Sequence, residues 1–195
     1  MIDEADTSDA ALARRAVEGD DRAFSQLVQR HKDGLYRLLR RYTGDPDEAY
    51  EAAHEAFISA WSALGRFDPD RPFGAWLRTI AMNKARDRGR RATVRRLIFG
   101  ASSLDDSAVM AAEDPAPSAV QTLLVDERAR RLDAAILQLP PALRAPLLLT
   151  AFDGHSQQAA AGILGVSTKT VEMRVYRARR LLAEHLGDGM RPSAR

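Results

Sequence analysis

Cysteine is absent from this 195-residue chain, so a disulfide, a thiolate metal site or a cysteine nucleophile is impossible. Long apolar runs are also missing: the typical ones span only about four or five residues, whereas a membrane helix needs about 20. The first 15 residues are acidic and have no apolar stretch, which predicts that they are not a signal peptide. We therefore expect a soluble protein of the cytoplasm without membrane insertion.

Motifs of enzymes are missing as well. The four histidines are scattered and show no HExxH or other metal-ligand spacing. The chain has no GxSxG sequence and no glycine-rich phosphate loop. We expect neither catalysis nor a small-molecule substrate, and we expect no metal and no cofactor.

Charge is strongly segregated along the chain, although the net charge is only +2. Residues 78–96 carry eight basic side chains against one acid, and residues 169–180 carry five against one. Residues 101–127 between them hold six acids and no base. Arginine-rich stretches are often only solvated helix faces. Two of them separated by an acidic segment indicate two surfaces that meet a polyanion.

The periodicity of the first half is helical, and no sustained strand-like alternation appears. Capping residues and helix breakers set the limits of the helices. Four helices are predicted: residues 10–18 capped by Asp9, a long helix that follows Asp20 and is stopped by Thr43-Gly44, a third beginning at Asp45-Pro46, and a fourth over residues 73–91.

The second half resumes the helical pattern after a stretch of small and acidic residues. We predict an all-α protein of two small helical bundles, residues 1–91 and 119–187. Residues 92–118 are predicted to be a flexible acidic linker, and residues 188–195 a disordered tail.

The C-terminal bundle contains the pattern of a helix-turn-helix. Ser156 is suited to cap a helix over residues 157–164, Gly165 supplies a tight turn, and Ser167 or Thr168 caps a longer basic helix. An ordinary helical hairpin would share these features, but the charge of the second helix favours the major groove. The candidate contacts to DNA are Ser167, Thr168, Lys169, Thr170, Met173, Arg174, Arg177 and Arg180, with Arg179 as a further phosphate partner.

Taken together, these segments resemble the extracytoplasmic-function (ECF, group IV) sigma factors of bacterial RNA polymerase. The resemblance covers nearly the whole chain. The resemblance is based on four segments: GDDRAFSQLVQRHKDGLYRLLRRYTGDPDEA, EAFISAWSALGRFDPDRPFGAWLRTIAMNKARDRGRR, LQLPPALRAPLLL and ILGVSTKTVEMRVYRARRLL. It implies a sigma-2-like first bundle and a sigma-4-like second bundle.

The resemblance also implies partners and roles. The first bundle would bind the β′ clamp of core RNA polymerase and open the −10 element. The second would read the −35 element and contact the β flap, and an anti-sigma factor would control the protein. The implied contacts to the −10 element are Arg66, Asp68, Arg71, Asn83, Lys84, Arg86, Arg88 and Arg90; those to polymerase are Glu51, Glu55 and Ser59.

The sequence departs from the family pattern at several positions. Tyr50 and His54 replace an acid and a glutamine of the polymerase-binding helix. Gln157-Gln158 replaces two glutamates in the first helix of the helix-turn-helix. Pro146 falls where a helix should already be running, which predicts a late start or a kink.

One alternative remains open on the residues alone. A two-domain transcriptional regulator with an effector-sensing first half would carry a similar C-terminal helix-turn-helix. Such a sensor would normally show strands or a receiver-type pattern, so the helical first half favours the sigma factor.

Overall fold

The computed structural model describes residues 8–99 and 119–187, with side chains for residues 8–94 and 127–187. Within these ranges the chain is all-α and has no strand, which confirms the predicted fold class. The helices are α1 (Asp9–Val17), α2 (Asp21–Thr43), α3 (Pro46–Ala63), α4 (Phe73–Phe99), α5 (Ala119–Gln138), α6 (Pro141–Leu147), α7 (Gln157–Leu164) and α8 (Thr168–Leu186). The predicted tail of residues 188–195 and most of the predicted linker lie outside the described residues.

Helix capping explains the limits of the first three helices. Asp20 caps α2 by accepting hydrogen bonds from the backbone of Arg22 and Ala23, and Asp45 caps α3 in the same way. The predicted cap of α1 is wrong by one residue, because the hydroxyl of Ser8, not Asp9, accepts the bond from the Ala11 amide.

The predicted end of the fourth helix is also wrong. The helix continues to Phe99, two turns beyond the predicted end at residue 91. The prediction ended the helix where the charge pattern changed, but no glycine or proline follows until Gly100. A change of composition alone therefore does not stop a helix.

Pro146 lies inside α6 and interrupts its hydrogen-bond pattern, because proline has no amide proton to donate. The helix does not begin late. Instead a π-helical turn, Leu148–Phe152, follows directly. The hydroxyl of Thr150 bonds the Pro146 carbonyl at 2.8 Å within this turn. The sequence thus predicted a disturbance here but not its form.

The two bundles pack against each other, and their buried apolar side chains form one continuous cluster. The guanidinium of Arg144 in α6 donates to the carbonyl of Tyr42 in α2 at 2.6 Å. Gly44, which ends α2 at a φ of +81°, lies so close to α5 that a Cβ would be 2.8 Å from the Cδ2 of Leu137. This close approach fixes the first bundle beside the second.

Candidate nucleic-acid interface

The predicted helix-turn-helix is formed by α7 and α8. The Ser156 hydroxyl caps α7 by accepting from the Ala159 amide at 3.1 Å, and Gly165 ends α7 with a φ of +65°. Ser167, rather than Thr168, caps α8, with its hydroxyl 3.1 Å from the Thr170 amide. One face of α8 packs on the bundle and the other faces solvent.

The buried face of α8 consists of Val171, Val175, Ala178 and Leu182. All eight predicted −35 contacts lie off that face, with Thr170 and Arg174 half-buried and the other six exposed. Lys169 pairs with Glu172 at 3.6 Å, and Arg180 pairs with Glu184 at 3.5 Å. Such exposed pairs are weak and would yield readily to phosphates.

Arg174, Arg177 and Arg179 make no ion pair with any described residue of the chain. Tyr176, which the sequence reasoning did not select, is 65% exposed on the same side of α8. Tyr176 lies three residues after the predicted contact Met173, and residues three apart are neighbours on a helix surface, so the sequence could have indicated it. The exposed face of α8 thus presents unpaired cations beside an aromatic ring.

The predicted −10 residues of α4 fall into two groups. Asn83 is exposed, and Arg90 pairs with Asp87 of its own helix, so both are accessible to DNA. The hydrogen bond from Arg90 lowers the pKa of Asp87. Arg86 is half-buried and makes no ion pair with a described residue.

Lys84 and Arg88 form the second group, and they turn toward α3. Arg88 donates to Glu48 and to Glu55 at 2.7 Å each, and Lys84 lies 3.9 Å from Glu55. The hydrogen bond to Glu48 raises the pKa of Arg88 further. In this arrangement Arg88 joins two helices and is not directed at solvent.

The loop of residues 65–72 begins with a 3-10 turn, Leu64–Arg66. Its predicted contacts Arg66, Asp68 and Arg71 are all exposed. Phe67 between them is buried, with its ring centroid 4.6 Å from that of Trp76. The apolar anchor therefore holds the loop, and its charged side chains stay at the surface, where Arg71 lies 4.0 Å from Asp68.

The predicted polymerase contacts on α3 are not equivalent. Glu51 is exposed, Ser59 is half-buried, and Glu55 is bound by Arg88 and Lys84. The exposed side of α3 also carries an apolar and aromatic stripe: Tyr50, His54, Ile58 and Trp61. Trp61 is 43% exposed, and its ring centroid lies 4.8 Å from that of Phe24.

A groove of about 840 Å³ lies between the bundles. Arg86 and Arg90 of α4 line it together with Arg174 of α8 and apolar residues of the helix-turn-helix corner, Leu164 and Val166. Arg88 also lines the groove, so the structure brings one predicted −35 residue and three predicted −10 residues together there.

The part of the chain that the structure describes shows neither a metal site nor a membrane-spanning helix. No group of histidines and acids there is arranged to hold a metal ion. None of the described helices is long and apolar enough to cross a membrane.

Comparison with known proteins gives the family. Residues 27–95 match sigma-70 region 2, and residues 129–182 match sigma-70 region 4. RNA polymerase sigma factor CnrH of Cupriavidus metallidurans is 38% identical over 179 residues, or 90% of this chain and 93% of CnrH. ECF RNA polymerase sigma factor SigM of Mycobacterium tuberculosis is 35% identical over 92% of this chain and 85% of SigM. The chain belongs to the extracytoplasmic-function sigma factors.

Solved structures agree with this assignment. CnrH in complex with the cytosolic domain of CnrY matches with a TM-score of 0.68 at 34% identity, over 93% of this chain and 99% of that chain. RpoE of Bartonella quintana, in complex with the anti-sigma factor NepR, has the same fold, with a TM-score of 0.70 at 22% identity over 86% of this chain and 98% of RpoE. The chain is therefore a sigma factor, which binds core RNA polymerase and directs initiation at promoters. The alternative of a separate sensing domain finds no support among these relatives.

Proposed function

We propose that this sigma factor divides promoter recognition between its two bundles. The exposed face of α8 reads the −35 element, and the loop of residues 65–72 with the accessible side of α4 contacts the −10 element. The observation that carries this proposal is the set of unpaired or weakly paired cations on the solvent face of a helix-turn-helix.

The roles of individual side chains follow from their surroundings. Arg174 and Arg177 are suited to guanine edges, because a guanidinium can donate two hydrogen bonds to one base. Lys169, Arg179 and Arg180 are suited to phosphates, which position the helix without specifying sequence. Asn83, Arg86 and Arg90 are proposed to contact the −10 strand. Arg88 and Lys84 are proposed to act mainly by holding α4 to α3.

Polymerase binding is proposed to use the exposed stripe of α3 together with Glu51. Apolar and aromatic side chains that are exposed on a helix often mark a protein interface. We propose further that the chain is non-catalytic, works in the cytoplasm with core polymerase, and is restrained by an anti-sigma factor. The complex of the similar CnrH with the cytosolic domain of CnrY supports this last point.

Run-off transcription tests the proposal. Core polymerase would be combined with and without the full chain on a promoter library, and the start sites would be mapped. We expect initiation at a defined set of promoters that depends on both elements. Absence of promoter-specific initiation on every template would contradict the proposed function.

A further inference from the structure

The distance between the two promoter elements conflicts with the packing of the two bundles. Elements near −10 and −35 are separated by about 25 base pairs, which is roughly 85 Å of duplex at about 34 Å per turn. In the structure, Arg86 of α4 and Arg174 of α8 line one groove of about 840 Å³. The packed form therefore cannot place α4 and α8 on their elements at the same time.

A nearly buried ion pair holds this packed form. Arg78 of α4 donates to both carboxylate oxygens of Asp153, which follows the π-helical turn, and the Nη2–Oδ1 distance is 2.9 Å. Each side chain is only 13% exposed. A paired bidentate contact of this kind is strong, whereas leaving either charge alone at such a site is costly.

Two further arginines cross between the bundles. Arg41 of α2 is 3.1 Å from Asp133 of α5, and its guanidinium lies 4.7 Å from the centre of the Phe152 ring. Arg144 of α6 reaches back to the Tyr42 carbonyl. Three separate polar contacts thus reinforce the shared apolar cluster.

We propose that the free sigma factor is self-inhibited by this closed arrangement, with the pair between Arg78 and Asp153 as its latch. Core polymerase must separate the bundles before both elements can be read. The inference depends on the proposed division of promoter recognition. Arg78 and Asp153 belong to neither proposed DNA surface, so they can be changed without removing a contact to DNA.

The natural absence of cysteine permits a direct test. Spin labels on Lys32→Cys in α2 and Ala134→Cys in α5, both exposed positions, would report the distance between the bundles in the full chain without polymerase. We expect one short, narrow distance distribution for the otherwise unchanged chain. Asp153→Arg places two cations together, and we expect it to add longer distances. The exchanged pair Arg78→Asp with Asp153→Arg should restore the short distribution.

Run-off transcription supplies the functional half of the test. Asp153→Arg should lower the concentration of sigma factor needed for half-maximal initiation by about threefold or more, since less of the chain is closed. Glu127→Arg, which removes an exposed pair within α5, is the matched control and should change neither measurement. If Asp153→Arg fails to fold, Arg41→Gln should shift both measurements in the same direction.

Three results would overturn the proposal: a distance distribution in the unchanged chain that is already long, no recovery in the exchanged pair, or opening without a gain in transcription. Failure of the proposed function looks different. In that case no promoter-specific initiation occurs with the unchanged chain, whatever the spin labels report.

Discussion

The guanidinium of Arg88 donates to the carboxylate of Glu55 across 2.7 Å, and so joins the helix predicted to face DNA with the helix predicted to bind polymerase. The same guanidinium also bonds Glu48. One side chain from each predicted surface is therefore committed to the other helix. The two surfaces of the first bundle are coupled through this contact.

Replacing Arg88 should act mainly on stability. Arg88→Ala removes two charge-assisted hydrogen bonds that are partly exposed, and we expect a loss of about 1–2 kcal/mol in the free energy of unfolding. Urea denaturation measures this loss. Arg91→Ala, at an exposed position of the same helix, should cost much less. Equal losses in the two variants would show that the hydrogen bonds from Arg88 to α3 contribute nothing to the free energy of unfolding.

The exposed stripe of α3 should govern binding of core polymerase. Ile58, which is 53% exposed, is its apolar centre. Ile58→Asp should weaken binding roughly tenfold or more, because a charge would be buried in an apolar contact. Fluorescence titration with core polymerase measures the affinity. Gln29→Asp, exposed on α2, should leave it unchanged. Retained affinity in the Ile58 variant would place the interface elsewhere.

Arg174 should contribute to −35 recognition. Arg174→Ala is expected to weaken −35-dependent initiation by about 1–3 kcal/mol and to relax the preference at one base position. Run-off transcription on promoters varied through the −35 element reads both effects. Arg37→Ala in α2 removes an exposed arginine away from the proposed interface and should preserve the preference. An unaltered base preference in the Arg174 variant would contradict the assignment.

The turn of the helix-turn-helix offers a matched pair of glycines. A Cβ at Gly165 or at Gly162 would have no atom within 4 Å, so neither substitution by alanine causes a steric clash. Gly165 has a φ of +65°, whereas Gly162 lies within α7. Gly165→Ala should cost about 1–2 kcal/mol of stability, and Gly162→Ala should gain about 0.5–1 kcal/mol. Thermal unfolding would show opposite shifts in Tm, and shifts of one sign would contradict this explanation.

His155 should make stability depend on pH. Burial lowers the pKa of His155 below its ordinary 6.5; the Asp153 carboxylate opposes this effect and the Arg78 guanidinium adds to it. Its Nε2 lies 3.2 Å from Asp153 without the geometry of a hydrogen bond. Above pH 6.5 the ring is neutral in both the folded and unfolded chains, so it does not reduce the free energy of unfolding. As the pH falls through 6.5, the unfolded chain takes up the proton first and stability is lost.

The measurement is urea denaturation at pH 7.5 and at pH 5.5. We expect the decrease between them to be smaller in His155→Gln, with a slope difference of at most about 1.4 kcal/mol per pH unit. His185→Gln, at an exposed position of α8, is the control. A His155 variant that keeps the full decrease would assign the pH dependence to other groups.

Local signals in the sequence predicted the helices best where a cap and a glycine bracket them. Asp20 and Gly44 set the ends of α2, and Ser156 and Gly165 those of α7, because these residues satisfy or release the terminal backbone groups. The end of α4 was missed, since composition changed there without a helix breaker.

Contacts between helices were beyond this reasoning. Glu48 and Glu55 are seven residues apart, so they share one side of α3, which was a usable signal. The spacing did not predict that Arg88 would lie between them. Nor did it predict that Arg78 would pair with Asp153, 75 residues away. Those partners depend on how complete helices pack, which a one-dimensional pattern does not specify.

Arg144 bears on how reversible any separation of the bundles would be. Its guanidinium donates to the carbonyls of Leu137, in the last turn of α5, and Leu139, directly after α5, in its own bundle, and to that of Tyr42 in the other. Separation would break only the last of these bonds. The side chain would keep its bonds to Leu137 and Leu139 and would stay in the orientation that binds the Tyr42 carbonyl. Reassociation would then require no local refolding, so the chain could return to its packed form each time polymerase releases it.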